Sequence, residues 1–246
     1  TDEAVKLSKD NGYQDKVCLH LNLTLGKPLS KKITGTSLCD KNGFFKFNCV
    51  NEVLKTLKHN MRLKDILAIR EECEAQIKKY LDYFEDSFLI ESAQRYDIKG
   101  KSYIETPKKY YFSDLGLRNA RINFRQLEQT HSMENVIYNE LRMRGYSVDV
   151  GVVPIAEKDL EGKVNRRQLE VDFVCNLGSA RYYIQSAYSL PDETKRTQEI
   201  RPFRKIDDSF KKIVITKDIV QPYYDEYGIL TINIYDFLLN PECLQG

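Results

Sequence analysis

The sequence predicts an α/β protein in two parts: a helical unit that ends in a β-hairpin, and a following domain built on a mixed sheet. Apolar residues recur at helical spacing between Asn51 and Leu89. Two runs of strand-forming residues then flank a basic turn at residues 97–101. Beyond residue 113, strand-like apolar runs alternate with helical segments, which is typical of a sheet covered by helices.

Residues 1–50 are predicted as a separate, unassigned N-terminal segment. Short apolar patches alternate there with turn signals such as Asn11-Gly12 and Asn42-Gly43, without a long amphipathic period. Gly26-Lys27 does not complete a phosphate-binding loop, because Leu21 occupies the position of the first glycine of that motif. No chemistry is assigned to this segment.

The composition is that of a globular protein with a real core, since 41% of the residues are hydrophobic and 30% are charged. The formal charge of +2 means that any attraction to nucleic acid has to come from local patches. Six cysteines without a C-x-x-C pair indicate reduced thiols and a cytoplasmic protein. No apolar run is long enough for a membrane helix, so no membrane partner is expected.

Residues 51–112 are predicted to form a winged-helix-like domain, with three helices and a hairpin of two strands around residues 87–92 and 109–112. Basic residues of this domain are candidates for contacts with DNA phosphates. They are Lys55, Lys58, Arg62 and Lys64 on the helices and Lys99 and Lys101 in the hairpin, with Lys108 and Lys109 as further wing candidates. The competing use of this surface is docking onto another domain.

Residues 113–246 are predicted to form the mixed-sheet domain, with the element order α-β-β-β-α-β-β-α. A helix is expected over Ser132–Arg144, capped by Gly145. The three strands that follow are expected at Tyr146–Pro154, Leu169–Cys175 and Arg181–Tyr188.

A set of polar residues in this domain could carry chemistry. Glu134 lies on the predicted helix, Glu170 and Asp172 lie on one strand, and Gln185 lies on the next. Alternation along a strand directs Glu170 and Asp172 to one face, and likewise Gln185 and Ala187. Clustered carboxylates are the ligands that Mg²⁺ prefers, so Glu134, Glu170 and Asp172 are candidate metal ligands.

These segments resemble the C-terminal region of a family of prokaryotic AAA-type ATPases, in which a winged helix precedes a PD-(D/E)XK, restriction-endonuclease-like domain. The resemblance rests on Met133-Glu134-Asn135, on Glu170-Val171-Asp172-Phe173 and on Tyr183-Ile184-Gln185-Ser186-Ala187. It implies Glu134, Asp172 and Gln185 as the catalytic positions, with Ala187 where an active nuclease has lysine. It also implies an ATPase domain as partner, in cis or in trans, and ATP as cofactor only where an upstream nucleotide-binding domain exists.

Three hypotheses on function follow. The first is a nuclease-fold module with a degenerate site that binds DNA or a protein partner without turnover. The second is a Mg²⁺-dependent DNA endonuclease, in which a basic residue such as Arg167 replaces the missing lysine. The third is a structural or oligomerisation domain, which would bind neither DNA nor metal.

Overall fold

The structure is a computed structural model that describes residues 6, 10, 21–23, 26–36, 38–46, 63–125, 128–158 and 164–244. The chain divides into two compact units, Thr1–Ser87 and Phe88–Gly246.

The first unit is organised around one helix, α1 (Leu63–Asp86). Ala68 packs against the apolar residues of a short helical turn at Ile33–Gly35 and of the chain that follows it. The buried carboxylate of Glu72 accepts hydrogen bonds from the backbone N–H groups of Leu29 (3.0 Å) and Ser30 (2.6 Å). This carboxylate therefore ties the segment before the turn to the helix.

Two of the three predicted helices are one continuous helix in the structure. The sequence between Leu63 and Asp86 contains no glycine or proline, so nothing interrupts the hydrogen bonding of the backbone. The remaining predicted helix, around residues 53–57, lies outside the described residues.

The second unit contains an eight-stranded mixed sheet with the strand order β2-β1-β3-β4-β5-β6-β8-β7. The pairs β1–β2, β3–β4, β4–β5 and β7–β8 are antiparallel, whereas β1–β3, β5–β6 and β6–β8 are parallel. The predicted α/β class with a mixed sheet is therefore confirmed. The strands are β1 (Ile90–Asp97), β2 (Ser102–Phe112), β3 (Ser147–Lys158), β4 (Val164–Leu177), β5 (Ala180–Ala187), β6 (Lys211–Thr216), β7 (Tyr223–Tyr224) and β8 (Leu230–Asn233).

Four helices accompany the sheet: α2 (Leu115–Arg121), α3 (Gln129–Met143), α4 (Glu193–Ile200) and α5 (Ile234–Leu239). Asp114 caps α2 by accepting from the N–H of Gly116 (2.6 Å), and Asp192 caps α4 by accepting from the N–H of Lys195 (2.8 Å). Gly145, with φ of +85°, follows the C-cap residue Arg144 and terminates α3, as the sequence predicts.

The two faces of the sheet carry separate apolar clusters. On one face, Ile137 and Leu141 of α3 pack with Phe173 and Ile184. On the other face, Val171, Tyr183 and Ala187 pack with Ile200 and Phe203. A register shift in the pairing of β3 with β4, between Asp149 and Gly151, gives β4 one extra residue next to Asp172.

The β1–β2 hairpin belongs to this sheet and does not form a wing on the helical unit. β1 pairs in parallel with β3 over Arg95–Asp97, and the division between the two units falls after Ser87, not at residue 112. The physical reason is apolar burial: Ala93 and Tyr111 are part of the core under α3, so the hairpin needs the sheet domain to cover it. Among the described helices, none combines the length and the apolar character that crossing a membrane requires.

Candidate functional site

Lys109 joins two carboxylates in a cleft between β2, β4 and α3. Its Nζ lies 2.6 Å from Glu134 Oε1 and 2.9 Å from Glu170 Oε1. The other oxygen of Glu170 accepts from the guanidinium of Arg95 on β1 at 2.7 Å. Four charged side chains from four different elements therefore form one ion-pair network, which we call the Lys109 cluster together with Tyr111 and Asp172.

Glu134 is held against β2 by its neighbour on α3. Asn135 Oδ1 accepts from the N–H of Phe112 at 2.8 Å, and Asn135 Nδ2 donates to the carbonyl of Phe112 at 2.7 Å. The apolar side of α3 packs on the sheet at the same time, through Met133 and Ile137. These contacts determine how closely α3 packs on the sheet and where it lies along β2. Glu134 is therefore directed towards Lys109.

Tyr111 supplies a second hydrogen bond to the same carboxylate. Its hydroxyl donates to Glu134 Oε1 at 2.7 Å, and its ring stacks on Tyr138 with a centroid separation of 3.9 Å. Burial and the negative charge of Glu134 raise the pKa of Tyr111 well above its usual value. The hydroxyl therefore remains a donor to Glu134 at all ordinary pH values.

Asp172 lies where β4 and β5 separate. The two strands pair up to Phe173 and Ile184, and beyond that point Asp172 Oδ2 accepts from the backbone N–H of Ser186 at 2.8 Å. Burial, with a further contribution from the charge of Glu134, raises the pKa of Asp172 from 3.8 to about 7. This carboxyl group can therefore gain or lose a proton near neutral pH.

Lys109 and Glu170 both keep their charges near neutral pH. Burial alone would lower the pKa of Lys109, but the charges of Glu134 and Asp172 outweigh it and raise the pKa. Burial would likewise raise the pKa of Glu170, but Lys109 and Arg95 bring it below its usual value. Asp172, in contrast to Lys109 and Glu170, changes its charge near pH 7.

A cavity of about 190 Å³ opens beside the cluster, between β2, α2 and α3. Lys109, Tyr111 and Glu134 line it on the side of the cluster, and Arg118 and His131 belong to its remaining wall. Lys109 is thus shared between the ion-pair network and an open space that a small ligand group could enter.

The structure brings three of the sequence-predicted site residues together, since Glu134, Glu170 and Asp172 all belong to the Lys109 cluster. Gln185 was expected to converge with them, but it lies on the face of β5 that carries Tyr183 and Ala187 and packs in the other apolar cluster. Gln185 is buried, and its Oε1 has no hydrogen-bond partner among the described residues.

Two further predictions concern metal and DNA. Within the described ranges, no group of three or more His, Cys, Asp or Glu side chains is arranged to hold a metal ion, because Lys109 lies between Glu134 and Glu170. Of the predicted DNA contacts, Lys64 is exposed on α1, and Lys99 and Lys101 are exposed in the β1–β2 turn. Lys55, Lys58 and Arg62 lie outside the described residues.

Sequence reasoning missed the residues that complete the cluster: Arg95, Lys109 and Tyr111. Lys109 was considered only as a basic residue of a wing. The available signal was the spacing of Lys109 and Tyr111, which puts both side chains on one face of β2. That signal becomes informative only when the hairpin is assigned to the same sheet as the strand that carries Glu170.

Comparison with known proteins gives matches at both the family and the single-protein level. The family described as YdjC-like protein matches residues 1–85, and a domain of unknown function, DUF8612, matches residues 55–128. An uncharacterized protein of Haemophilus influenzae is 37% identical over 166 residues, and one of Methanocaldococcus jannaschii is 26% identical over 191 residues. These alignments cover 66% and 76% of this chain.

The chain spans 36% and 40% of the length of these two relatives. No solved structure matches the chain significantly. The YdjC-like match ends at residue 85, so it concerns the first unit and not the Lys109 cluster.

These findings overturn the resemblance to the C-terminal region of AAA-type ATPases with a PD-(D/E)XK domain. The matching family is YdjC-like, and the relatives are uncharacterized. The short segments that suggested the resemblance have a simpler physical origin. In the structure they are a helix and two strands that pack in one apolar cluster, through Met133, Phe173 and Ile184, and helices packed on a sheet are common to many α/β folds.

Proposed function

We propose that the cleft of the second unit binds a phosphate-bearing partner, with DNA as the expected one, and that binding depends on the protonation of Asp172. The observation that carries this proposal is the position of Lys109, which belongs to both the ion-pair network and the wall of the cavity. Cationic side chains and N–H donors are the groups that contact phosphate in proteins. Arg118 and His131 add further donors to the same cavity.

The charge of the cluster explains the dependence on pH. When Asp172 is protonated, the cations Arg95 and Lys109 balance the ion-paired carboxylates Glu134 and Glu170. An anionic group then meets no net negative charge. When Asp172 loses its proton, the cluster becomes negative and repels an anion. Affinity for a phosphate group should therefore fall as pH rises through about 7.

Binding of inorganic phosphate and of a short DNA oligonucleotide, measured by calorimetry at pH 6 and pH 8, tests the proposal. Lys109→Met should weaken binding on the order of tenfold, equivalent to about 1.4 kcal/mol. Lys108→Met is the matched control, because the neighbouring lysine is exposed and projects from the opposite face of β2. Arg118→Met removes a cavity cation that no described ion pair uses, so a loss of binding there does not reflect a broken network.

Equal binding by the Lys109→Met and Lys108→Met proteins would contradict the proposal, as would tighter binding at pH 8 than at pH 6. If Lys109→Met weakens binding only because the protein loses structure, Arg118→Met should bind like the unmodified protein. Weaker binding by Arg118→Met as well would show that the lost cation is the cause.

Mg²⁺-assisted hydrolysis of a phosphodiester is the second candidate function. It is favoured by the three carboxylates of the cluster, which become net negative when Asp172 ionises and then attract a hard cation. A bound Mg²⁺ would have to displace Lys109 from Glu134 and Glu170. Cleavage of an oligonucleotide in Mg²⁺, faster at pH 8 than at pH 6 and lost in Asp172→Asn, would favour this candidate over binding alone.

The cytoplasm is the location that we propose. The four cysteines within the described ranges, Cys39, Cys73, Cys175 and Cys243, are free thiols, which is the usual state of cysteines in a reducing compartment. Labelling of the partly exposed thiols Cys73 and Cys243 in intact cells by a membrane-permeant reagent, but not by an impermeant one, is the expected result.

A further inference from the structure

The strands β3 and β4 continue beyond the sheet as a two-stranded ribbon. In the described part of the chain, β1 pairs with β3 only over Val150–Val152, and β5 pairs with β4 only over Phe173–Leu177. Residues 153–158 and 164–169 therefore pair only with each other. The ribbon begins at the Lys109 cluster, because Glu170 lies at its base.

The two faces of the ribbon have different surroundings. Val153, Ile155 and Val171 belong to the apolar cluster that α4 covers, so this face is buried. On the opposite face, Pro154 pairs with Gln168 and Ala156 with Arg166, and all four residues are exposed. We call these four residues the open ribbon face.

The open ribbon face is continuous with the cleft. Glu170, Gln168 and Arg166 follow one another at every second position of β4, so their side chains project from the same face. Glu170 is bound to Lys109, and four residues further along the strand stands Arg166. At about 3.3 Å per residue, Arg166 lies roughly 13 Å from the cluster along the strand.

Arg166 is a cation without a structural task in the described part of the chain. Among the described residues, no carboxylate forms an ion pair with its guanidinium, and the residue is exposed. The neighbouring Arg167 pairs with the buried Ile155 and so projects from the other face.

We propose that the open ribbon face extends the binding cleft and that its occupant is a DNA strand, which runs from the Lys109 cluster along β4 to a phosphate contact with Arg166. This inference rests on the proposed function, since it names the class of ligand that the cleft receives. The spacing supports a polymer: about 13 Å corresponds to roughly four nucleotides stacked at the 3.4 Å rise of duplex DNA, and to fewer nucleotides in an extended strand. A single phosphate group in the cleft cannot reach Arg166, whereas a strand of five or more nucleotides can.

The test compares single-stranded oligonucleotides of 2 and 20 nucleotides without terminal phosphates, titrated against the full chain by fluorescence anisotropy. For the 20-nucleotide strand, we expect Arg166→Ala to lower the affinity about tenfold and the dependence of log K on log salt to become shallower by about 1. For the dinucleotide, which carries a single phosphate, Arg166→Ala should change nothing. Arg167→Ala is the matched control, and it should bind both strands like the unmodified protein.

Equal affinities of the Arg166→Ala and Arg167→Ala proteins for the 20-nucleotide strand would overturn the inference. The inference would also be overturned if Arg166→Ala lowered the affinity equally for both strand lengths. The effect would then not depend on whether the strand is long enough to contact residue 166. In both cases, weaker dinucleotide binding by Lys109→Met would leave the proposed function in place. If Lys109→Met changes the binding of neither strand, the proposed function itself fails.

Discussion

Asp172 should make the second unit less stable as the pH rises. Its pKa is raised in the folded protein, from 3.8 to about 7, so folding disfavours the ionised form. Below pH 3.8 the group is protonated in both states and has no effect. Between the two pKa values the unfolded state ionises and the folded state does not, and stability falls with pH. Above about pH 7 the loss is complete.

The size of the effect follows from the shift. A difference of roughly 3 pKa units at 1.36 kcal/mol each corresponds to about 4 kcal/mol. Asp172→Asn removes the titrating group but keeps an oxygen that can accept from the N–H of Ser186. The variant should therefore gain stability over the unmodified protein, by about 2 kcal/mol more at pH 7 than at pH 5.

The assay is urea unfolding from pH 5 to pH 8, followed by amide exchange in peptides of β4 and β5 so that the signal belongs to the second unit. Glu105→Gln, at an exposed position of β2, is the control for a general effect of charge. A stability difference between Asp172→Asn and the unmodified protein that stays constant with pH would refute the reasoning. So would an equal slope in the control.

Three further substitutions test the packing and charges that hold the cleft. Lys109→Met should lower the free energy of unfolding by about 3 kcal/mol, because it leaves Glu134 buried without its cation. Adding Glu134→Gln should restore part of this loss. No restoration would argue against a stabilising ion pair between Lys109 and Glu134. Gly151→Ala should cost about 2 kcal/mol, since its new Cβ would lie 2.9 Å from three neighbouring side-chain atoms; a urea midpoint equal to that of the unmodified protein would contradict this. Arg196→Met should cost about 3 kcal/mol and speed amide exchange in residues 223–233, because the buried guanidinium binds Asp225 at 2.9 Å; unchanged exchange there would disprove the role.

The sequence was sufficient to predict the central strands and helix α3 of the second unit, but not helix α2, strand β7 or the place of the first hairpin. Period-two patterns and turn residues led to β3, β4 and β5 and to helix α3 with its glycine cap. The hairpin β1–β2 was predicted as strands, yet its assignment to a wing relied on the preceding helices. Only the parallel pairing of β1 with β3, more than fifty residues away, decides where it belongs. Long-range pairing of this kind leaves no local signal in the chain.

The candidate site shows the same limit. Glu134, Glu170 and Asp172 stand out in the sequence because charges within apolar segments are costly unless they are paired. Their cation does not stand out, because Lys109 sits among other lysines in a strand that was expected to lie in a different domain. The acidic half of the network was therefore predictable, and the basic half depended on the topology.

The position of Lys109 also changes the argument about Ala187. The alanine was taken as the loss of a lysine that an active site would need, and this suggested a degenerate site. In the structure Ala187 is buried with Tyr183 and Phe203, on the face of β5 opposite to α3 and Glu134. A lysine there would enter the second apolar cluster, away from the carboxylates of the cleft. The ammonium group of the cleft comes instead from β2, so the identity of residue 187 carries no weight for or against chemistry at the Lys109 cluster.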